Sequence, residues 1–353
     1  MDEVEPMVVG VLVEFEGGGS GTVDGARQVV DEAVAAGRLD RPVRFVVETS
    51  NGLPRGTAAS VEAAFGRLVD RGVLAILGPA ITDNGLIVRD LADAFRVPCL
   101  NWTGSDRTRS EWMFHYQIGS LEEEPFLLAA HLVASGIGRV VVVEDRSPIG
   151  HRYGEYFTLA ADREGIEVAL RSLVSPVAED LSAVVPPLRA AGTDAVVYLG
   201  LGYAARALGL AVAATDWRPT VVTNSALMFG HAQPAWRTEW DGWTYVDAYS
   251  EDNPLLAALR QRAGPEAQST SGMSLAGGND MGRLLVEALA GAEPLTRTGV
   301  KEAFERVKSL PAAMGLPGTT MSFGQWDRAA LKGGFLVLRR WSGGESVPVT
   351  LGD

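Results

Sequence analysis

Short apolar runs that alternate with amphipathic segments constrain the fold of this chain more than any other feature of its sequence. The first run, Val8–Val13, holds only apolar residues and a glycine, which is typical of a strand buried on both faces. From Asp24 onward apolar residues recur at a spacing of three or four, which predicts a helix. The alternation continues through predicted strands at Val43–Val47, Leu74–Leu77 and Val97–Asn101 and predicted helices at Ala58–Asp70 and Leu86–Phe95. Such alternation implies right-handed crossovers and a parallel sheet.

The same rhythm begins again after residue 120. Strands are predicted at Arg139–Val143, Val168–Leu170, Ala195–Leu199 and Thr220–Thr223, and helices at Glu122–Ser135, Arg152–Glu164, Leu181–Ala191 and Ala204–Ala214. Further helices at Leu255–Ala263, Gly277–Gly291 and Thr298–Val307 precede a predicted terminal hairpin of Met321–Phe323 and Gly334–Leu338. The fold class is therefore predicted as α/β, with two doubly wound parallel-sheet lobes.

The order of the elements predicts that each lobe is assembled from separate stretches of chain. A length of 353 residues suits two domains. Lobe 1 is expected to comprise residues 7–120 and 250–325, and lobe 2 residues 121–249 and 326–353. The chain would then cross between the lobes three times, in a three-strand hinge near Gly119–Leu121, Asp247–Asp252 and Phe323–Asp327.

Composition excludes several classes of function. The net charge of −13 argues against binding to nucleic acid or to an anionic membrane surface, since both need a surplus of Lys and Arg. A single cysteine and four histidines without metal-ligand spacing predict neither a disulfide nor a metal site, and no cofactor is expected. No apolar run reaches the ~18 residues of a membrane span, so no membrane insertion is expected. The acidic start Met1–Pro6 lacks the basic region of a secretory leader.

Several segments carry a likeness to a known family. They are a Gly-rich loop after the first strand at Glu16–Gly21, the start of the first helix at Asp24–Gln28, and three strand-to-helix turns at Gly78–Thr82, Val97–Ser105 and Ser147–Gly150. In their order and spacing these segments resemble the type I periplasmic-binding-protein family, in particular the branched-chain amino-acid and amide-binding branch. The likeness runs from Met7 to about Trp341. It implies two lobes that close on a small ligand in a cleft.

The resemblance points to ligand-binding residues in the first lobe. The family's carboxylate-binding hydroxyls correspond to Thr82 and Ser105, and a backbone contact corresponds to Thr103. These residues follow strands, at the sheet edge where helix N-termini converge and favour anions. The alternative is that the hydroxyls only cap the following helices. Phe15 corresponds to an aromatic residue over the apolar part of the ligand or else to a core residue, and Trp102 is expected to line the pocket or to pack beneath the loop.

The second lobe departs from the amino-acid-binding pattern. Ile149 stands where the family has a tyrosine, for which Tyr153 is the nearest substitute, and Tyr203 follows a strand and is expected at the ligand. Ser225 stands where amino-acid binders have an acidic residue for the ammonium group. Since an unpaired ammonium is costly to bury, an amide, an oxo or hydroxy acid, an aromatic acid or a urea-like compound is at least as good a candidate as an amino acid. Asp83 and Asp280 are other possible sources of a carboxylate.

Other signals carry less weight. Gly200–Ala205 matches the dinucleotide fingerprint, but no acidic residue stands about 20 residues further on. Glu14 and Glu16 flank Phe15, yet no histidine nearby supports a hydrolase. The run Glu122–Glu124 is interpreted as a solvated helix N-terminus. Cys99 is interpreted as a small core residue and His151 as a surface residue.

The prediction is a solute-binding protein of an ABC importer, without catalysis, that captures a small polar ligand. Its partners would be this ligand and, if the chain is exported, an ABC permease, with no nucleic acid; we expect a monomer or weak dimer. The location would be extracytoplasmic if a leader was removed and cytoplasmic if Met1 is the native start. The alternatives are a cytoplasmic ligand sensor of the same fold and, with less support, an NAD-dependent oxidoreductase.

Overall fold

A computed structural model describes residues 5–16, 20–193, 195–264 and 270–353. The chain divides into two compact units. Unit 1 comprises the chain up to Ile118 together with Ala248–Phe335, and unit 2 comprises Gly119–Asp247 and Leu336–Asp353. The third boundary thus lies ten residues later than the predicted 325. The reason is that Thr320–Met321 pairs with Leu331–Lys332, which keeps this segment in unit 1.

The first part of unit 1 forms a parallel sheet. Its strands are β1 (Met7–Val13), β2 (Val43–Thr49), β3 (Ala75–Leu77), β4 (Cys99–Asn101) and β5 (Met113–His115). They lie in the order β2-β1-β3-β4-β5. The sequence analysis did not predict β5. Cys99 is fully buried in β4, which confirms its interpretation as a core residue.

Three helices connect these strands: α1 (Ser20–Ala35), α2 (Ala58–Asp70) and α3 (Thr82–Phe95). Helix α2 matches its prediction because the apolar stripe and the N-cap agree. Thr57 accepts a hydrogen bond from the backbone N–H of Ser60, and the stripe ends in the fully buried Phe65 and Leu68. Helix α1 begins four residues before the predicted Asp24, and the predicted loop residues 17–19 lie outside the described residues.

Unit 2 repeats the plan. Its parallel strands are β6 (Arg139–Asp145), β7 (Glu167–Val174), β8 (Ala195–Leu199), β9 (Thr220–Thr223) and β10 (Thr244–Asp247). Its helices are α4 (Glu124–Ala134), α5 (Pro148–Glu164), α6 (Val185–Ala190), α7 (Tyr203–Ala213) and α8 (Phe229–Ala232). The strand order β10-β9-β8-β6-β7 places the carboxyl ends of β6, β8 and β9 side by side, which is where a doubly wound sheet positions functional loops.

The chain then returns to unit 1. It forms α9 (Pro254–Ala263), α10 (Gly272–Ala290) and α11 (Arg297–Arg306), followed by the short strands β11 (Leu310–Pro311), β12 (Thr320–Met321) and β13 (Leu331–Lys332). Helix α10 begins five residues before the predicted Gly277. It packs on α1 at a glycine pair, because a Cβ on Gly25 would lie 3.1 Å from the Cα of Gly278.

The predicted terminal hairpin is wrong. Met321 pairs with Leu331, and the hairpin consists instead of β14 (Val337–Ser342) and β15 (Glu345–Val349), which extend the sheet of unit 2 beside β10. Gly343 and Gly344 form its two-residue loop with φ of 58° and 82°. Positive φ at both positions is the requirement of a type I′ turn, so this Gly-Gly pair is the signal that the sequence analysis missed. Within the described residues, no helix is long and apolar enough to cross a membrane.

Candidate functional site

Thr82 begins α3 at the carboxyl end of β3 and joins two loops of unit 1. Its Oγ1 accepts a hydrogen bond from the backbone N–H of Gly104 at 3.2 Å, and the residue is only 5% exposed. Ile81 occupies the N-cap position of α3 without a side-chain cap. The alternative, that the hydroxyl of Thr82 caps its own helix, is therefore not what the structure has. The hydroxyl instead bonds to the loop that follows β4.

Ser105 and Thr103 are the other two predicted positions in this loop, and their side chains bond to nearby residues of the same chain segment. Ser105 is 1% exposed and caps a short 3-10 helix, where its Oγ accepts from the N–H of Arg107 at 3.3 Å. Thr103 is fully buried, with its Oγ1 2.8 Å from Asn101 Oδ1 and 2.9 Å from Thr108 Oγ1. The capping alternative thus describes the contact of Ser105, and the Thr103 side chain belongs to the interior network of the loop.

His115 supports the loop from β5. Its Nε2 lies 2.7 Å from the carbonyl oxygen of Thr103, and its Nδ1 accepts a hydrogen bond from Arg109 Nε at 3.0 Å. Burial lowers the pKa of His115 to about 3, and the charge of Arg109 acts in the same direction. The ring is therefore neutral, with its proton on Nε2 and donated to Thr103.

Glu14 follows β1 and holds the loop that leads into Thr82. Its Oε1 accepts hydrogen bonds from the backbone N–H groups of Ala80 and Ile81, both at 2.7 Å. Burial raises the pKa of Glu14 to about 7, although the hydrogen bonds from Ile81 and Ala80 act against this shift. The carboxylate is thus committed to the backbone, which gives it a structural role in place of the paired-carboxylate chemistry considered above.

The two aromatic candidates of unit 1 differ in exposure. Phe15 is half-buried directly after β1, next to the exposed Glu16. Trp102 is 4% exposed, and its backbone N–H donates to the carbonyl oxygen of Pro79 at 3.1 Å. The side chain of Trp102 is therefore buried, whereas that of Phe15 is partly exposed.

In unit 2 the structure brings two predicted residues together. Tyr153 on α5 and Ser225, two residues after β9, have their hydroxyl oxygens 3.1 Å apart. Ile149 is 4% exposed in the first turn of α5, which Ser147 caps by accepting from the N–H of Gly150 at 3.1 Å. Where the family has a tyrosine, this chain therefore has the apolar side chain of Ile149 at the first turn of α5. The hydroxyl of Tyr153, four residues later, is bonded to Ser225.

Glu124 joins this pair, which the sequence analysis did not predict. Its Oε1 accepts from Tyr153 OH at 3.0 Å, from Ser225 Oγ at 3.1 Å and from the N–H of Ser120 at 2.7 Å. Its Oε2 accepts from the N–H of Ser225 at 2.7 Å. Glu124 is fully buried, so its interpretation as part of a solvated helix N-terminus is wrong. Three consecutive acidic residues indicate a surface by composition, and no sequence signal separates Glu124 from the exposed Glu123.

Tyr203 lies at the start of α7 among other aromatic rings. Its ring centroid is 5.0 Å from that of Phe229 and 5.9 Å from that of Trp236. All three side chains are half-buried. Since α7 and α8 follow β8 and β9, Tyr203 and Phe229 lie at the same sheet edge as Ser225.

The loop before Tyr203 does not offer a phosphate cradle. Asp145 Oδ2 accepts the N–H of Leu201 at 2.8 Å, and a Cβ on Gly200 would lie 2.2 Å from Asp145 Oδ2. A carboxylate thus takes the backbone donor that a pyrophosphate would need and repels its charge. This observation argues against the dinucleotide reading. Among the described residues no cluster of His, Cys, Asp or Glu could hold a metal ion.

Asp280 is the other carboxylate considered from the sequence. It is fully buried on α10 and accepts from the N–H groups of Ala313 and Met314 at 2.9 and 3.0 Å and from Tyr116 OH at 3.1 Å. Burial raises the pKa of Asp280 to about 6, although the hydrogen bonds from the N–H groups of Ala313 and Met314 act against this shift. Asp280 therefore has a structural role in unit 1, where it connects α10 to the backbone of Ala313 and Met314. Asp83, by contrast, lies in the first turn of α3 beside Thr82 and is 5% exposed.

Comparison with known proteins agrees with the α/β fold of the chain. Residues 6–331 match the family model described as periplasmic binding protein. The chain belongs to this family, which confirms the resemblance and the predicted fold class. The family comprises binding proteins rather than enzymes. No curated protein matches the chain significantly.

Solved structures share the fold at low sequence identity. A type 1 periplasmic binding protein from Bordetella pertussis Tohama I has a TM-score of 0.81 at 15% identity, with 98% of this chain and 100% of that chain covered. A leucine-binding protein from Thermotoga maritima has a TM-score of 0.81 at 16% identity, with 98% of both chains covered. A branched-chain amino acid ABC transporter protein from Thermus thermophilus, with bound valine, has a TM-score of 0.76 at 17% identity, with 98% and 96% covered.

Proposed function

We propose that this chain is the solute-binding protein of an ABC importer and that it captures a small polar ligand, without catalysis, between its two lobes by hinge closure. The ligand class is a branched-chain amino acid, an amide or a related small carboxylate. The observation that carries the proposal is a set of three hydroxyl groups at the carboxyl edges of the two parallel sheets. Thr82 lies at the edge of one sheet, and Ser225 with Tyr153 lies at the edge of the other.

The hydroxyl and helix start of unit 1 suit a ligand carboxylate. Thr82 stands at the first position of α3, where backbone N–H groups lack partners within the helix and carry partial positive charge. Glu14 fixes the backbone immediately before this helix, so the N-terminus is held in place before a ligand arrives. Phe15 and Tyr203 supply apolar surface for a branched or aromatic ligand side chain. Preorganisation of this kind reduces the entropy lost on binding.

The family and the structural relatives support the remaining parts of the proposal. Periplasmic binding proteins typically act outside the cytoplasm, so we place this chain there, with a membrane permease as its partner and a monomer or weak dimer as its state. One structural relative is a leucine-binding protein and another contains bound valine, which makes these amino acids the first compounds to test.

A thermal-shift screen over amino acids, amides, oxo acids and aromatic acids tests the proposal. A ligand that binds the folded state stabilises it by RT ln(1 + [L]/Kd), which is about 2.7 kcal/mol at a hundredfold excess over Kd. We expect at least one class to raise the melting temperature, with saturation at one molecule per chain in calorimetry. The proposal fails if every class, at millimolar concentration, leaves the melting temperature unchanged. A shift with NAD(H) instead would favour the oxidoreductase.

A further inference from the structure

A carboxylate lies directly behind the hydroxyl groups of Ser225 and Tyr153. Both hydroxyls are within hydrogen-bond distance of Glu124 Oε1, at 3.1 and 3.0 Å. An ionised carboxylate only accepts hydrogen bonds and is a stronger acceptor than a neutral hydroxyl. The protons of Ser225 and Tyr153 are therefore both donated to Glu124, although the two hydroxyl oxygens are also close to each other.

This arrangement determines whether the hydroxyl of Ser225 can donate a hydrogen bond to a ligand or only accept one. A hydroxyl has one proton and two lone pairs. Once the proton is donated to Glu124, only acceptor capacity remains. Ser225 is half-buried whereas Glu124 is fully buried and Tyr153 is 2% exposed, so Ser225 is the most exposed of the three residues. The lone pairs that its oxygen retains have a negative charge behind them.

We infer that Glu124, acting through Ser225 and Tyr153, selects ligands that present an N–H donor to unit 2, namely a primary ammonium or an amide. The inference rests on the proposed function and narrows its ligand class. A carbonyl or carboxylate oxygen at the same place would meet a lone pair and a negative charge. Glu124 is thus a positioning residue that supplies the charge for which the sequence analysis looked at position 225.

Charged groups on the neighbouring elements have other partners or are exposed to solvent. Arg152 of α5 donates to Glu122 Oε1 at 3.1 Å, and Glu123 is exposed. Asp145 at the end of β6 accepts from Tyr198 OH at 2.7 Å. Burial raises the pKa of Glu124 to about 7, although the N–H groups of Ser225 and Ser120 act against the shift.

Protonation of Glu124 reverses the polarity of the site. A protonated carboxyl must donate its own proton to one hydroxyl oxygen, and that hydroxyl then turns its proton away from Glu124. With a pKa of about 7, the ionised fraction of Glu124 falls about tenfold between pH 8 and pH 6. The ammonium of an amino acid keeps its charge over this range, so a change in its affinity reports on the protein.

Calorimetry with a matched ligand pair tests the inference. The probes are L-leucine and the 2-oxo acid with the same carbon skeleton, which lacks the N–H donor. At pH 8 we expect the chain to bind L-leucine at least tenfold more tightly than the oxo acid. Glu124→Gln should reduce this preference at least tenfold, because the neutral amide removes the negative charge behind the Ser225 oxygen. Glu123→Gln, the same change at the exposed neighbour, should leave the preference unchanged.

The pH profile provides a readout that a purely structural role would not change. The affinity for L-leucine should fall about tenfold from pH 8 to pH 6 in the parent chain and in Glu123→Gln, and should be flat in Glu124→Gln. Should Glu124→Gln lose its cooperative melting, Ser225→Ala replaces it, because this variant keeps the carboxylate and removes the lone pairs of the Ser225 oxygen. Unchanged ligand preference in folded Ser225→Ala would overturn the inference.

The remaining outcomes separate the inference from the proposed function. Equal or tighter binding of the oxo acid by the parent chain overturns the inference and leaves a small-carboxylate binding protein. If neither probe binds, both the inference and the branched-chain ligand class of the proposed function are wrong.

Discussion

The buried carboxyl of Glu14 gives a sharp prediction, because its environment opposes its ionisation. It is 5% exposed and follows β1, and its Oε1 accepts from the backbone of Ala80 and Ile81 at 2.7 Å. Burial raises its pKa from 4.5 to about 7. Glu14→Gln keeps the shape and an acceptor oxygen but removes the titration.

The magnitude and sign of the effect on the free energy of unfolding follow from the raised pKa of Glu14. A difference of about 2.5 between the folded and unfolded pKa values corresponds to about 3 kcal/mol. Since the folded-state pKa is the higher one, this contribution to stability is fully present below pH 4.5 and is lost as the pH rises through about 7. The chain with Glu14 should therefore lose about 3 kcal/mol relative to Glu14→Gln over this range.

Urea unfolding followed by tryptophan fluorescence, at intervals from pH 5 to pH 8, measures this difference. The free energy of unfolding of Glu14→Gln minus that of the parent chain should rise steadily with pH. Glu16→Gln, the same change at the exposed residue two positions on, should show no such rise. A difference between Glu14→Gln and the parent chain that stays constant across the range would refute the argument that burial controls this carboxyl.

Three further predictions concern binding and packing. Thr82→Ala should weaken the binding of L-leucine by roughly 1–3 kcal/mol in calorimetry, because it removes the hydroxyl group proposed to bind the ligand carboxylate, whereas Thr82→Ser keeps a hydroxyl and should retain most of the affinity. Asp280→Ala leaves two backbone N–H groups and a tyrosine hydroxyl unpaired and should lower the free energy of urea unfolding by roughly 3–6 kcal/mol, with a smaller loss in Asp280→Asn. Gly278→Ala would place a Cβ 2.8 Å from the carbonyl oxygen of Thr22 and should destabilise by roughly 1–3 kcal/mol, whereas Gly66→Ala on α2 meets no atom within 4 Å and should stabilise by about 0.5–1 kcal/mol.

The alternation of apolar and amphipathic segments predicted the α/β class because burial on both faces of a parallel strand leaves an unbroken apolar run. Residues Val140–Val143 of β6, for example, are all fully buried. Strand β5 escaped prediction since it is three residues long and contains His115, a polar residue by type. The imidazole of His115 can be buried because both of its nitrogens have hydrogen-bond partners, Thr103 and Arg109, in the segment before β5.

The candidate site was predictable only where the signal is local. Thr82 and Ser105 follow strands, so their place at the sheet edge could be expected, but the partner of each hydroxyl depends on how two loops pack. Glu124 lies 101 residues from Ser225 in sequence. Its burial arises from a tertiary contact that no pattern within α4 records, and the acidic residues beside it point to solvent instead.

Hinge closure on a ligand is the central claim, and small-angle X-ray scattering tests it most directly. The radius of gyration would be measured for the chain alone and with a saturating amount of the compound that gives the largest thermal shift. We expect a smaller radius with ligand, because two lobes that close on a molecule become more compact. An unchanged radius at full saturation would contradict it.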